Sequence, residues 1–160
     1  MVDHLQIGLL NATGVEKLPD DIIEFCNNNN IDLILITETF LVRGRLYTDW
    51  HQYHNYAIQP NPKKRGQGGI SLLVCPTLNI HIHHLPNING FTLFFRIGLY
   101  TFHGLYLPPP PTLNNDLVID LLDQLTINEH TIILGDLNAH SKLLTGDHAN
   151  NNRGLKALEP

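Results

Sequence analysis

Apolar residues come along the chain in short bursts whose spacing alternates between the period of a helix and that of a strand. Residues 5–10 read as a short strand. Pro19 suits the first turn of a helix and Asp20 and Asp21 favour its positive end, while Ile22, Ile23, Phe25 and Cys26 give it an apolar side before four asparagines, 27–30, end it. Leu33, Ile34, Leu35 and Ile36 form a continuous apolar run, which predicts a strand buried on both faces. Strand, helix and second strand predict a right-handed crossover with the strands parallel and their carboxyl ends together.

The middle of the chain changes rhythm, with turn signals rather than helices between the bursts. Strands are expected at 56–59, after a loop 60–68 at 69–75, and then at 79–84, 91–97 and 99–107 as antiparallel neighbours. Asn114 or Asn115 caps a helix carrying Leu117, Val118, Leu121, Leu122 and Leu125 at helical spacing. Residues 131–134 return to a buried strand, and 150–158 begin another helix. Together these elements predict a single mixed α/β domain over residues 1–160, built on two sheets, and ligands in such folds bind at the ends of buried strands.

Composition narrows the class. A chain of 160 residues with 42% apolar content is long enough for one core. It has no apolar run approaching the ~20 residues of a membrane span and no leader pattern at its start. Cys26 and Cys75 lie far apart with no metal or redox spacing around them, so they read as buried thiols in a reducing, intracellular setting, nuclear or cytoplasmic, with no disulfide-linked partner. The net charge of −5 is unevenly spread. Arg43, Arg45, Lys63, Lys64 and Arg65 are half of the ten basic residues and face only Asp49, whereas Glu16, Asp20, Asp21, Glu24 and Asp32 crowd an earlier stretch. One face is expected to be basic and another acidic.

Polar residues sit at four strand ends where chemistry is expected. Asn11 follows the first strand, Glu38 follows the second, Tyr106 closes the strand after Gly104, and Asp136 with Asn138 follows Ile132, Ile133 and Leu134. Each has a structural explanation of its own: a turn cap for Asn11 and Asp136, an exit to solvent for Glu38, a strand aromatic for Tyr106. Jointly they supply a carboxylate for a hard divalent cation, a second carboxylate to handle a water, and neutral donors for a phosphate, which is what phosphodiester hydrolysis needs. His81 and His83 alternate onto one strand face, where surface histidines are a commoner finding than a metal pair.

These residues carry a resemblance to the endonuclease/exonuclease/phosphatase family, which includes DNase I, apurinic/apyrimidinic endonucleases and the endonucleases of non-LTR retrotransposons. Asn11, Glu38 within Ile36-Thr37-Glu38-Thr39, the Gly68-Gly69-Ile70 approach to a strand, Tyr106 within Gly104-Leu105-Tyr106-Leu107-Pro108-Pro109, and Gly135-Asp136-Leu137-Asn138 occur in the family's order. The run Gly135 to His140, followed by Asn152-Arg153-Gly154-Leu155, most resembles the retrotransposon members. The resemblance implies a DNase I-like two-sheet α/β sandwich in four layers, with Glu38 and Asn11 at a Mg²⁺ (or Mn²⁺) site. It further implies that Asp136 handles the attacking water, that Asn138 and Tyr106 contact the scissile phosphate, and that DNA is the substrate. Gly68 and Gly69 serve backbone geometry, and Lys63, Lys64 and Arg65 add sequence-independent attraction to a nucleic-acid backbone. A reverse transcriptase portion, in frame or separate, is the implied companion.

The family's Ser-Asp-His motif does not follow in these 160 residues, so the sequence predicts an incomplete final layer, weak or no nuclease activity and marginal, sticky folding. Two other readings share the same residues. One is a phosphatase or phosphodiesterase of inositol phosphates or sphingolipid head groups. The other is a noncatalytic module whose proline run 108–111 serves as a polyproline II ligand.

Overall fold

The computed structural model describes residues 4–15, 19–109, 113, 115–140, 142–143, 146–148 and 151. Along the chain lie β1 (Ile7–Asn11), α1 (Pro19–Asn28), β2 (Leu33–Thr37), β3 (His51–Asn55), β4 (Ile70–Val74), β5 (Ile82–His84), β6 (Thr92–Ile97), β7 (Tyr100–Tyr106), α2 (Asn115–Asp123) and β8 (Thr131–Asp136). They form two four-stranded sheets, ordered β1-β2-β4-β3 and β5-β6-β7-β8. The expected two-sheet α/β architecture is what the chain adopts. It divides into two compact units, Met1–Tyr106 with Ile127–Gly135, and Leu107–Thr126 with Asp136–Pro160.

In the first unit the crossover from β1 through α1 to β2 forms as the pattern predicts, with β1 and β2 parallel. Helix α1 ends because its asparagines satisfy the last carbonyls. Ile31 N–H donates to the Cys26 carbonyl at 2.9 Å and Asn30 N–H to that of Asn27 at 3.3 Å, while Asn30 takes the left-handed φ of 53° that this termination requires. Its buried stripe is Ile22 and Cys26; Phe25 is 56% exposed, so the apolar side is narrower than its composition suggests.

Every residue of β2 is buried because it faces two cores at once. Leu33 and Leu35 pack between the sheets with Ile70, Leu72, Leu93, Phe95 and Phe102, while Ile34 and Ile36 pack beneath α1 with Ile22, Cys26, Trp50 and Leu73. That is the period-2 geometry of a strand in a layered fold, and it explains why the run reads as uniformly apolar. Across the second sheet Phe95 and Phe102 stack with centroids 4.8 Å apart.

Several sequence expectations need correction. The strand expected at 56–59 lies earlier, at β3, because the edge partner of β4 is the polar run His51–Asn55; Ile58 keeps only an isolated bridge to Gln67. Histidines and glutamine in an edge strand hide its period. Strand β4 joins β2 and β3 in the first sheet, so the antiparallel succession of neighbours starts afresh at β5. The strand expected to be buried before Gly135 is the outermost of its sheet among the described residues, with Ile132 and Ile133 36% and 41% exposed. Cys75 is half-buried rather than buried, whereas Cys26 is fully enclosed and its thiol is pushed up to about 11 by burial, with a smaller contribution from Cys75.

In the second unit α2 begins at Asn115 and buries Val118 and Leu121, but Leu117 and Leu122 are exposed, as a nine-residue helix buries a single stripe. Asn114, Pro110, Pro111 and, apart from Asn151, which is not helical, the helix expected over 150–158 fall outside the described residues; Pro108 is buried. Among the described residues no helix is long and apolar enough to cross a membrane.

One buried group makes stability pH-dependent. His103 on β7 is 5% exposed, its ring lies 4.6 Å from that of Phe94, and its Nδ1 finds no hydrogen-bond partner among the described residues. Burial lowers its pKa, so the folded chain holds it neutral while the unfolded chain protonates it near pH 6.5. Its stabilising effect is complete above that pH and is lost as pH falls from 6.5 towards the lower folded-state value. Denaturant melts of His103→Phe between pH 7.5 and 5 should therefore lose less stability on acidification than the unsubstituted chain.

Candidate active site

The first unit gathers Asn11, Glu38 and Tyr106. Parallel pairing sets Asn11 opposite Thr37, so the ends of β1 and β2 are level and Glu38 is the first residue beyond them. The chain leaves the sheet there in an unusual conformation: Glu38 has φ 53° and Phe40 φ 52°, left-handed values that cost a residue with a side chain about 1–2 kcal/mol each. Backbone hydrogen bonds hold the segment from both sides. Gly14 and Val15 donate to the carbonyls of Glu38 and Thr39 at 2.8 and 3.2 Å, while Thr39 and Phe40 donate to those of Gly69 and Gly68 at 3.2 and 3.0 Å.

Gly68 and Gly69 make this clamp possible. Both have positive φ, 74° and 85°. A β-carbon on Gly68 would sit 3.0 Å from the Phe91 ring that packs on Tyr106; one on Gly69 would run into Thr39 Oγ1 and lie 3.1 Å from Ala57 N. The backbone role expected for these glycines is what the geometry displays.

Within this frame the Tyr106 hydroxyl donates to Glu38 Oε1 at 2.7 Å. Tyr106 is 5% exposed and its ring is fixed against Phe91, with centroids 6.2 Å apart, so a rigid donor holds one oxygen of a half-buried carboxylate. Asn11 is exposed, and its Oδ1 accepts from Thr13 N–H at 3.3 Å, the turn-capping role any asparagine there could play. The sequence placed Glu38 and Tyr106 at separate strand ends; the hydrogen bond joining them across 68 residues was not foreseen.

The basic loop belongs to the same unit. Lys63, Lys64 and Arg65 are exposed at the tip of a hairpin closed by the Ile58–Gln67 bridge. Arg65 folds back, its guanidinium carbon 3.8 Å from the centroid of Phe40, two residues beyond Glu38. No sequence signal marks that contact.

In the second unit Asp136 and Asn138 form a tight loop. Asp136 Oδ1 accepts from Asn138 N–H at 3.0 Å, Asn138 has φ 47°, and its side-chain amide donates to the Leu107 carbonyl at 3.1 Å. Asn151, which the sequence did not single out, fastens the loop by donating from its amide to the Asn138 carbonyl at 2.8 Å and accepting from His140 N–H at 3.1 Å. The preceding Gly135 has φ 150° and leaves no room for a β-carbon against the Leu105 carbonyl. His81 and His83 are both exposed, and among the described residues no three His, Cys, Asp or Glu side chains cluster as a metal site.

The sequence profile of the Endonuclease/Exonuclease/phosphatase family matches residues 7–158. The chain is 25% identical over 164 residues to a probable RNA-directed DNA polymerase from transposon BS of Drosophila melanogaster, covering 99% of this chain and 18% of that protein. An AP endonuclease from Archaeoglobus fulgidus superposes with a TM-score of 0.58 at 12% identity, over 85% of this chain and 58% of its own. A Neisseria 3′ phosphatase solved with a product DNA hairpin gives 0.52 at 12% identity, again over 85% and 58%. This chain thus spans a fifth or less of that transposon protein and under two thirds of those structures, and the structural likeness establishes the DNase I-like α/β sandwich fold.

Gly69→Ala should destabilise the first unit by about 2–4 kcal/mol, combining left-handed strain with overpacking. A melting temperature lowered by about 5–10 °C would register it; an unchanged one would show that the clamp tolerates a side chain.

Proposed function

Because the chain belongs to the endonuclease/exonuclease/phosphatase family, we propose that it is a divalent-metal-dependent phosphodiesterase acting on DNA, the endonuclease portion of a retrotransposon-type protein with a reverse transcriptase as its companion. The observation that carries this reading is the Tyr106–Glu38 hydrogen bond at the level ends of β1 and β2. A carboxylate fixed there has no packing role that a methionine or leucine would not fill at less cost in desolvation.

The donor set suits Mg²⁺ or Mn²⁺. These are hard cations that take oxygen ligands, and Mg²⁺ keeps several waters and needs only one or two protein carboxylates besides substrate phosphate. Glu38 supplies the carboxylate and the Asn11 amide oxygen a neutral neighbour, without any larger acidic cluster. When bound, the ion neutralises charge on the phosphate and lowers the pKa of coordinated water. Tyr106 orients Glu38 with its one hydroxyl proton and would turn that proton to a phosphate oxygen when substrate is bound. Asp136 is assigned the attacking water's proton and Asn138 a donor to the phosphate; support for both is the rigidity of their own loop, which the main chain and Asn151 hold in place. Lys63 and Lys64 add non-specific attraction to the DNA backbone.

Mn²⁺ titration followed by electron paramagnetic resonance should show a site weakened at least tenfold by Glu38→Ala, and whatever Mg²⁺-dependent plasmid nicking the chain supports, expected to be weak, should fall about 10²-fold or more in the same variant. Nicking that survives the substitution undiminished would overturn the assignment.

A further inference from the structure

A second feature of the first unit lies apart from the Glu38 segment. Along β3, the edge strand of the first sheet, runs an open groove of about 600 Å³ lined by Arg45, His51, Gln52, Tyr53, His54, Tyr56 and His84. That volume falls in the range of about 300–1,000 Å³ typical of small-ligand sites. The lining holds one permanent positive charge, three imidazoles, two phenols and an amide, with no carboxylate among them. Such a set complements a planar ring attached to an anion.

Its rings are ordered. Tyr53 stacks with His84 of β5, centroids 6.4 Å apart and planes within 9°, joining the edges of the two sheets. His54 stacks with Tyr56 at 5.5 Å. His54 is anchored below by Ser71 Oγ at 2.7 Å and Gln52 Oε1 at 3.1 Å, and Gln52 is itself tied to both backbone groups of Leu46. The Tyr56 hydroxyl donates to the Gly44 carbonyl at 2.9 Å, bracing the segment that carries Arg45. Arg45 is exposed, forms no ion pair among the described residues, and stands near enough to His54 to add to the burial that lowers its pKa. One stacked ring pair, one ring pair braced by hydrogen bonds and a guanidinium with no ion pair among the described residues therefore line one groove.

We propose that this groove binds unpaired nucleotides, with bases on the exposed aromatic faces and a phosphate on Arg45. Stacking on tyrosine or histidine needs a base whose face is open, which single-stranded nucleic acid offers and a duplex does not. Register places Asn55 of β3 opposite Ile70 of β4, directly after Gly69, so the Tyr56 end of the groove is the end at which the Glu38 clamp lies. This inference rests on the reading of the chain as a DNA-acting enzyme and deepens it: the substrate class includes a single-stranded segment beside the cleaved bond.

The test is binding of a five-residue oligothymidylate to the whole chain in EDTA, where no metal-dependent step contributes, read by amide chemical shifts and by fluorescence. Shifts should map to β3, β5 and residues 44–47, and Arg45→Gln should weaken binding at least fivefold and reduce the dependence of log K on log salt by about one. His84→Ala, at an exposed position, should weaken binding while the amide spectrum away from the groove stays that of the folded chain. Equal binding of a blunt duplex at the same residues, the same shifts with inorganic phosphate alone, or undiminished affinity in Arg45→Gln would each overturn the proposal. The two readings fail separately: oligonucleotide binding here without any Mn²⁺ site at Glu38 would leave the groove standing and remove the catalytic assignment, and the converse result would do the reverse.

Discussion

The burial of β2 on both faces is the constraint from which the site follows. A strand that packs Leu33 and Leu35 against one core and Ile34 and Ile36 against another cannot slip by one residue without exchanging the two sets. Its register against β1 and β4 is thereby fixed, and so is the point at which the chain must leave the sheet. That point is Glu38. Parallel pairing brings Asn11 level with it, antiparallel pairing brings Gly68 and Gly69 to its other side, and the second sheet delivers Tyr106 from the far side of the inter-sheet core. The candidate chemistry is thus a product of packing order.

The sequence revealed what depends on strand period and local motif. The β1-α1-β2 crossover, the two sheets and the placing of Glu38 and Tyr106 at strand ends were legible because uniform apolar runs and turn residues encode them directly. The edge strand β3 was not, since His51, Gln52, His54 and Asn55 offer no alternation of apolar and polar residues and its stability comes from pairing with β4. The exposure of Ile132 and Ile133 was misread for the complementary reason. An apolar run does not say whether a sheet continues beyond it, and among the described residues β8 is the outermost strand.

The site shows the same division. Residue types and their order singled out Asn11, Glu38, Tyr106, Asp136 and Asn138 as candidates, but the contacts that hold each of them were invisible. Tyr106 and Glu38 meet across 68 positions, Arg65 returns to Phe40 across a loop, and Asn151 sits in an asparagine run with nothing to distinguish it. Such contacts are set by three-dimensional closure, for which a single sequence has no local signature.

The left-handed backbone at position 38 sets two kinds of fitness against each other. Glycine or asparagine would relax that φ of 53° and strengthen the fold, yet either would remove the carboxylate that Tyr106 holds. A library screened for heat resistance alone would discard Glu38 early. On the proposed assignment, one screened for turnover would keep it and accept a softer protein, so position 38 would report which pressure a variant of this chain has been under.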